Sequence, residues 1–132
     1  MEADVYPLNA PERADLIDGS IGEGSPFHEN FGYCARGVGP RTAVLAPGWR
    51  ERLIPVCHEA TRGATGWCLD THDLVLAKLV AGRQKDLEFA AEARRAAFIE
   101  LDELHRRCAQ LEVDEQLLHT VDLRIERVAR DV

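Results

Sequence analysis

The sequence has no apolar run near the length of a membrane span, no CxxC pair, no basic stripe and only two lysines. Each absence removes a class of function. A helix that crosses a bilayer needs roughly 20 consecutive apolar residues, and none is found, so no membrane segment is expected. The opening residues MEADVYPLNAPERADL carry neither the basic nor the apolar block of a secretory signal, so the expected location is the cytoplasm. The four cysteines (Cys34, Cys57, Cys68, Cys108) are scattered, and without a secretory context their expected state is the reduced thiol. Basic residues are outnumbered in both halves, 6 against 9 acidic in residues 1–69 and 10 against 14 in residues 70–132. Nucleic-acid backbones are bound mainly by neutralising phosphates with Lys and Arg, so broad DNA or RNA binding is not expected.

The 132 residues, 45% of them hydrophobic, suffice for one compact core without disulfides or metal. No repeat, low-complexity tract or linker divides them, so residues 1–132 are expected to form a single domain. The expected class is α+β, with a small antiparallel sheet in residues 1–69 and helices in residues 70–132.

EADVYPL alternates, placing Ala3 and Val5 on one face and Asp4 and Tyr6 on the other, which predicts a short strand ended by Pro7. Pro11, Gly19, Gly22, Gly24 and Pro26 predict a helical turn near 11–18 and then an irregular loop. Short apolar runs at 31–38, 42–45 and 52–58, punctuated by Gly39-Pro40 and Pro47-Gly48, predict an antiparallel meander. GATGW reads as a turn into the helical half. Asp70 is an N-cap, with Asp73 three residues on, for a helix running to Gly82. Gln84 to Ala97 predicts a second helix with Leu87, Ala90, Ala91 and Phe98 near one stripe. Leu101, Leu104, Cys108 and Leu111 make a third stripe. After a cap at Asp114, Leu117, Val121, Ile125 and Val128 make a fourth.

The segment HDLVLAKLVAGRQKD is the strongest candidate for chemistry. Lys78 is its only charge between Asp73 and Arg83, on a helix with almost no polar face, so it must emerge into a cleft or snorkel to the surface. The other lysine, Lys85, lies in the same segment, while the remaining 14 basic residues are arginines. A lysine is a rotatable point charge suited to phosphate, whereas arginine is the commoner choice for planar pairs. The plain alternative places Lys78 beside Asp73 or Glu88 and leaves Lys85 as an exposed cation after a helix end.

Three stretches, EADVYPL, SPFHENFGYCARGVGPRTAVLAPGWRERLIPV and above all GWCLDTHDLVLAKLVAGRQKDLEF, resemble bacterial nucleotidyltransferase-like proteins of uncharacterised activity, distantly related to AbiEii-type toxins of toxin–antitoxin systems. The resemblance implies a fold in which paired carboxylates on an Asp-x-Asp or Asp-x-Glu strand, with a third on a neighbouring strand, hold magnesium and a nucleoside triphosphate. It matches Asp4 to the third carboxylate, Lys78 to a helix lysine near the phosphates, and Lys85 and Asp86 to a closing charged pair. The first two carboxylates have no counterpart, since Gly19-Ser20 precedes no Asp-x-Asp strand and follows the strand bearing Asp4. The chain is therefore expected to be a partial nucleotidyltransferase-like fold lacking its amino-terminal catalytic half.

Other constellations carry less. Cys57-His58 and Cys68-x-x-x-His72 do not match a zinc knuckle, so no metal site is assigned. GSIGEGSP lacks the Lys-Ser or Lys-Thr of a phosphate loop. His28, His105 and His119 stand isolated and receive no role. Three functions stay open: a domain without autonomous catalysis that binds nucleotides, anions or proteins, a transferase completed by another chain, or a helical interaction module. Magnesium and a triphosphate are expected only if a complete site assembles. A homodimer through the opening strand, or a protein partner supplying the missing half, is the expected assembly.

Overall fold

The computed structural model describes residues 1–131, which fall into two compact units, Met1–Ala43 and a second that begins at Val44. The α+β class holds, with short strands in the first half and helices in the second. The sheet differs from the expected meander. It is two separate pairs of strands, one parallel and one antiparallel.

In the first unit β1 (Glu2–Val5) is followed by a 3-10 turn at Pro11–Arg13, α1 (Ala14–Ile21), α2 (Pro26–Phe31) and β2 (Cys34–Gly37). β1 and β2 run parallel, with Glu2 opposite Cys34 and Val5 opposite Gly37. Parallel strands need a crossover, and the two helices supply it. The second of them stands where the sequence predicts an irregular loop. Its signals are nonetheless all present: Ser25 accepts the His28 N–H at 3.2 Å, Pro26 opens the first turn, and Gly32 ends it at φ 74°. The glycines flanking this short segment masked those caps. α1 packs on β2, and the Asp18 carboxylate accepts the Gly37 N–H at 2.9 Å. Cys34 and Ala35 are the unit's buried apolar side chains, while every residue of β1 is exposed.

In the second unit a 3-10 turn at Trp49–Arg52 leads to β3 (Ile54–Val56), which pairs antiparallel with β4 (Gly66–Cys68). Residues 42–45 form no strand, and part of GATGW, read as a turn, is β4. The apolar run at 42–45 serves another purpose, since Val44 packs against the helical core and Ala46 is buried in it.

The four helices follow the sequence closely: α3 (Thr71–Ala81), α4 (Gln84–Arg95), α5 (Leu101–Cys108) and α6 (Glu115–Arg130). Their stripes meet in a core that includes Val75, Leu76, Leu79, Ala90, Leu104, Cys108, Val121, Ile125 and Val128. Burying a large aliphatic side chain contributes roughly 1.5–3 kcal/mol, so this cluster dominates the unit's stability. Asp70 caps α3, accepting the His72 N–H at 3.0 Å, and Asp114 caps α6, accepting the Leu117 N–H at 2.8 Å. Phe98 departs from its expected stripe and is 65% exposed. α4 stops at Arg95, Ala97 turns left-handed at φ 60°, and Phe98 N–H closes on Ala93 O at 2.9 Å. That ending swings Phe98 outward and sends Ile99 into the core instead.

Candidate functional site

Both ends of α3 carry charge clusters, and the apolar helix between them explains why. A helix with almost no polar face concentrates its polar contacts at its termini. At the amino-terminal end Asp73 is fully buried, so its charge requires close partners. Arg52 grips it in a fork, Nε to Oδ2 at 2.8 Å and Nη2 to Oδ1 at 2.9 Å. The same guanidinium donates to Pro47 O and Ala46 O, which ties the PGWRER turn to α3. From α5, the buried Arg107 lies 3.1 Å from Asp73, donates to Asp70 at 2.5 Å, and donates to Glu103 at 2.6 Å. Arg106 donates to both oxygens of Glu103, at 2.6 Å to the Oε1 shared with Arg107 and at 2.8 Å to Oε2. Three carboxylates thus meet three guanidiniums.

Hydrogen bonds from Arg106 and Arg107 pull the Glu103 carboxyl down to about 2. Burial pushes Asp70 up, but the hydrogen bond and charge of Arg107, with the amides of Asp73 and His72, outweigh it and hold Asp70 below the ordinary range. Burial raises the Cys108 thiol to about 11, helped by the nearby Asp122, so this cysteine is no nucleophile.

The lowered carboxylates fix the direction of acid sensitivity. A carboxylate whose folded pKa lies below its unfolded value contributes stability above the unfolded value and loses it as pH falls through the folded one. For Glu103 the window runs from an ordinary glutamate's 4.5 down to about 2. Denaturant midpoints measured between pH 6 and pH 2 should fall across that window, and Glu103→Gln should flatten the fall. A slope unchanged in the variant would remove Glu103 from the account.

At the carboxy-terminal end Gly82 closes α3 in the left-handed region at φ 69°, and α4 folds back along α3. Asp86, 1% exposed at its side chain, accepts the Arg83 N–H at 3.2 Å and the Arg83 Nε–H at 2.7 Å. Burial raises its carboxyl, but Arg83 and then Lys78 outweigh that and hold it below the ordinary range. Lys78 Nζ stands 3.8 Å from Asp86 Oδ1 and 5.0 Å from the centre of the Phe89 ring, with its side chain one-third exposed. Among the described residues it forms no ion pair with Asp73 or Glu88. From α6, Arg124 donates to the Leu79 and Val80 carbonyls at 2.7 and 3.1 Å and so caps the same helix end.

The structure therefore brings together two of the four residues singled out in the sequence, Lys78 and Asp86. Lys85 and Asp86, the closing charged pair of the motif, form no ion pair with each other. Lys85 is exposed and makes no ion pair among the described residues, and its place beside Asp86 is taken by Arg83 and Lys78. Asp4 lies in the other unit, on the exposed β1, 3.5 Å from Arg36. The magnesium implied by the resemblance does not fit these residues. Asp4 has an arginine against it, and among the described residues no three His, Cys, Asp or Glu side chains come together as a cation site. His58 and His72 each use a ring nitrogen to accept a backbone N–H, from Ala60 and Glu100.

The model of a family described as a nucleotidyltransferase of unknown function (DUF6036) matches residues 27–128. The chain belongs to that family. No curated protein and no solved structure matches it. The matched span contains α2 from its second residue, all of β2, β3, β4 and α3 to α5, and most of α6, whereas Asp4 lies before it.

Sequence reasoning missed Arg52, Arg83, Arg107 and Glu103. A signal existed for Arg107, which falls on the same stripe as Leu104 and Leu111, three residues after one and four before the other. A charge at a core-facing position announces a buried partner. His105, isolated in the sequence, is not isolated in the fold: its ring nitrogens lie 3.0 Å from Asp122 and 3.1 Å from Glu126 on the facing helix.

Proposed function

We propose that this member of the nucleotidyltransferase family is a divergent domain without autonomous catalysis that binds the phosphates of a nucleotide, or a similar anion, at Lys78. The observation that carries the reading is the state of Lys78. Asp86 already receives three hydrogen bonds from Arg83, one of them on the Oδ1 that Lys78 faces, so Lys78 sits at the longer distance of 3.8 Å, partly exposed and held in place over Phe89. A positioned ammonium with donors to spare can accept a phosphate without breaking the Asp86 pair. A groove of about 340 Å³ between α4 and α6 is lined by Gln84, Leu87, Glu92 and Arg127 among others and does not include Lys78. With one-third of its side chain exposed, Lys78 meets the anion from the solvent side, and the affinity is low.

Catalysis by this chain alone has no support in its residues. Nucleotidyl transfer needs charge stabilisation on the leaving pyrophosphate, usually from a cation held by paired carboxylates. The carboxylates nearest Lys78 and at the start of α3 are each neutralised by arginines. The proposal includes work with another chain, whether a second copy or a different protein. A role as the binding partner in a toxin–antitoxin-like pair rests on the resemblance to AbiEii-type toxins.

Ligand-observed magnetic resonance with ATP and with inorganic triphosphate tests the site. Both should bind, with dissociation constants of roughly millimolar order, and Lys78→Ala should weaken both several-fold. An identical response from wild type and Lys78→Ala would make Lys78 structural and remove the site. Labelled nucleoside triphosphates with magnesium or manganese should yield no labelled protein or RNA. Robust metal-dependent labelling by the purified chain would overturn the non-catalytic reading.

A further inference from the structure

We infer that the open edge of β1 is a docking edge for an extended segment of a different protein, one that carries Lys or Arg at alternate positions. The direction of the backbone groups starts the argument. Pairing with β2 uses Met1 O, which accepts the Cys34 N–H at 3.1 Å, and Val5 O, which accepts the Val38 N–H at 2.9 Å. Strand backbones alternate, so Met1, Ala3 and Val5 turn their N–H and C=O toward β2, while Glu2 and Asp4 turn theirs to the other side. Among the described residues no strand pairs with that side. A two-stranded pair is marginal in water by itself, and an unpaired edge is a template for one more strand.

Charge decides the occupant. Glu2 and Asp4 share one face of β1, and the ion pair on it joins Asp4 to Arg36 at 3.5 Å, with both side chains more than half exposed. The whole unit is acidic, with 7 acidic against 3 basic side chains in residues 1–43. A second copy is the obvious competitor. Antiparallel self-pairing must set edge-facing residues against edge-facing residues, and both of these are acids. Every register that forms hydrogen bonds therefore puts an acid directly opposite an acid, either Glu2 against Asp4 or like against like. Directly opposed like charges destabilise a sheet. A foreign strand with Lys or Arg at those positions makes the same contacts attractive, and apolar residues between them would cover Ala3 and Val5.

The inference rests on the β1 edge and is independent of anion binding at Lys78. Fluorescence anisotropy of the full chain with a labelled octapeptide of alternating lysine and valine tests it. That peptide should bind, and an alternating glutamate and valine peptide should not. N-methylation of one alternate set of peptide amides should abolish binding and of the other set should be tolerated, because only one set faces the edge. Glu2→Gln with Asp4→Asn should weaken binding about tenfold with an unchanged melting curve, and Lys78→Ala should leave it intact. Hydrogen exchange should slow at the Glu2 and Asp4 amides when the peptide is added. Equal binding of the glutamate peptide, or tolerance of both methylation patterns, would overturn the proposal. So would a dimer with those two amides protected in the absence of peptide.

Discussion

Replacing Asp73 with Asn should destabilise the helical unit by about 3–5 kcal/mol, the range for breaking a buried ion pair by removing one partner. Asp73 is fully buried, and its two oxygens accept from Arg52 and lie against Arg107. Asparagine keeps one acceptor and replaces the other with an NH2 group, which must then face a guanidinium donor. The cluster changes from three carboxylates with three guanidiniums to a surplus of one positive charge. Arg107, 7% exposed, cannot shed that surplus to water, whereas Arg52, with 27% of its side chain exposed, can in part. The loss should therefore fall toward the lower end of the range. Even so it is a large share of the roughly 5–15 kcal/mol that stabilises a typical domain. Urea unfolding at neutral pH measures it directly. Adding Arg52→Met to Asp73→Asn should cost less than the sum of the single changes, since the partner left unpaired is removed as well. A loss below about 1 kcal/mol for Asp73→Asn would show that the fork is dispensable.

This cluster shows what could be read in the chain and what could not. The helices were legible because their information is local. An apolar stripe of period 3.6, an aspartate before it and a glycine after it sit within a few residues of one another, and Asp70, Gly82 and Asp114 all do what their positions announce. The pairing of strands was less legible because register and direction are set by residues far apart. Nothing near EADV says that it runs parallel to CARG, and nothing near IPV says that it pairs with GWC rather than with the segment before it. Charge partners shared the same limit. Lys78 was recognisable as a misplaced cation on an apolar helix, but its partner was set by how tightly Gly82 folds α4 back, and that brought Asp86 rather than Asp73 within 4 Å. The family resemblance pointed to the segments that matter. In them Arg52 and Asp73 form a tie between the PGWRER turn and α3, so part of the motif is explained by folding rather than by chemistry.

Gly82→Ala should cost about 2.5–5 kcal/mol, and the loss should have two separable parts. The first is backbone. Gly82 sits at φ 69°, where a Cβ costs about 1–2 kcal/mol. The second is Arg124. A Cβ at position 82 would come within 2.2 Å of its guanidinium carbon, so the side chain must withdraw. Arginine tips usually move cheaply, but this one donates to the Leu79 and Val80 carbonyls at the end of α3. Withdrawal leaves those carbonyls without their charged donor, and a hydrogen bond to a charged group contributes roughly 1.5–3 kcal/mol. Arg124→Ala alone should therefore lose about the second part. In that background Gly82→Ala should cost only the first, because the clash has gone with the side chain. Full additivity of the two changes in denaturant unfolding would show that Gly82 is required by its backbone angle alone. The same substitution should also loosen the site, since Lys78 O accepts the Gly82 N–H at 2.8 Å and the turn places Lys78 beside Asp86. Triphosphate binding should then weaken in Gly82→Ala even at temperatures where the helical unit remains folded.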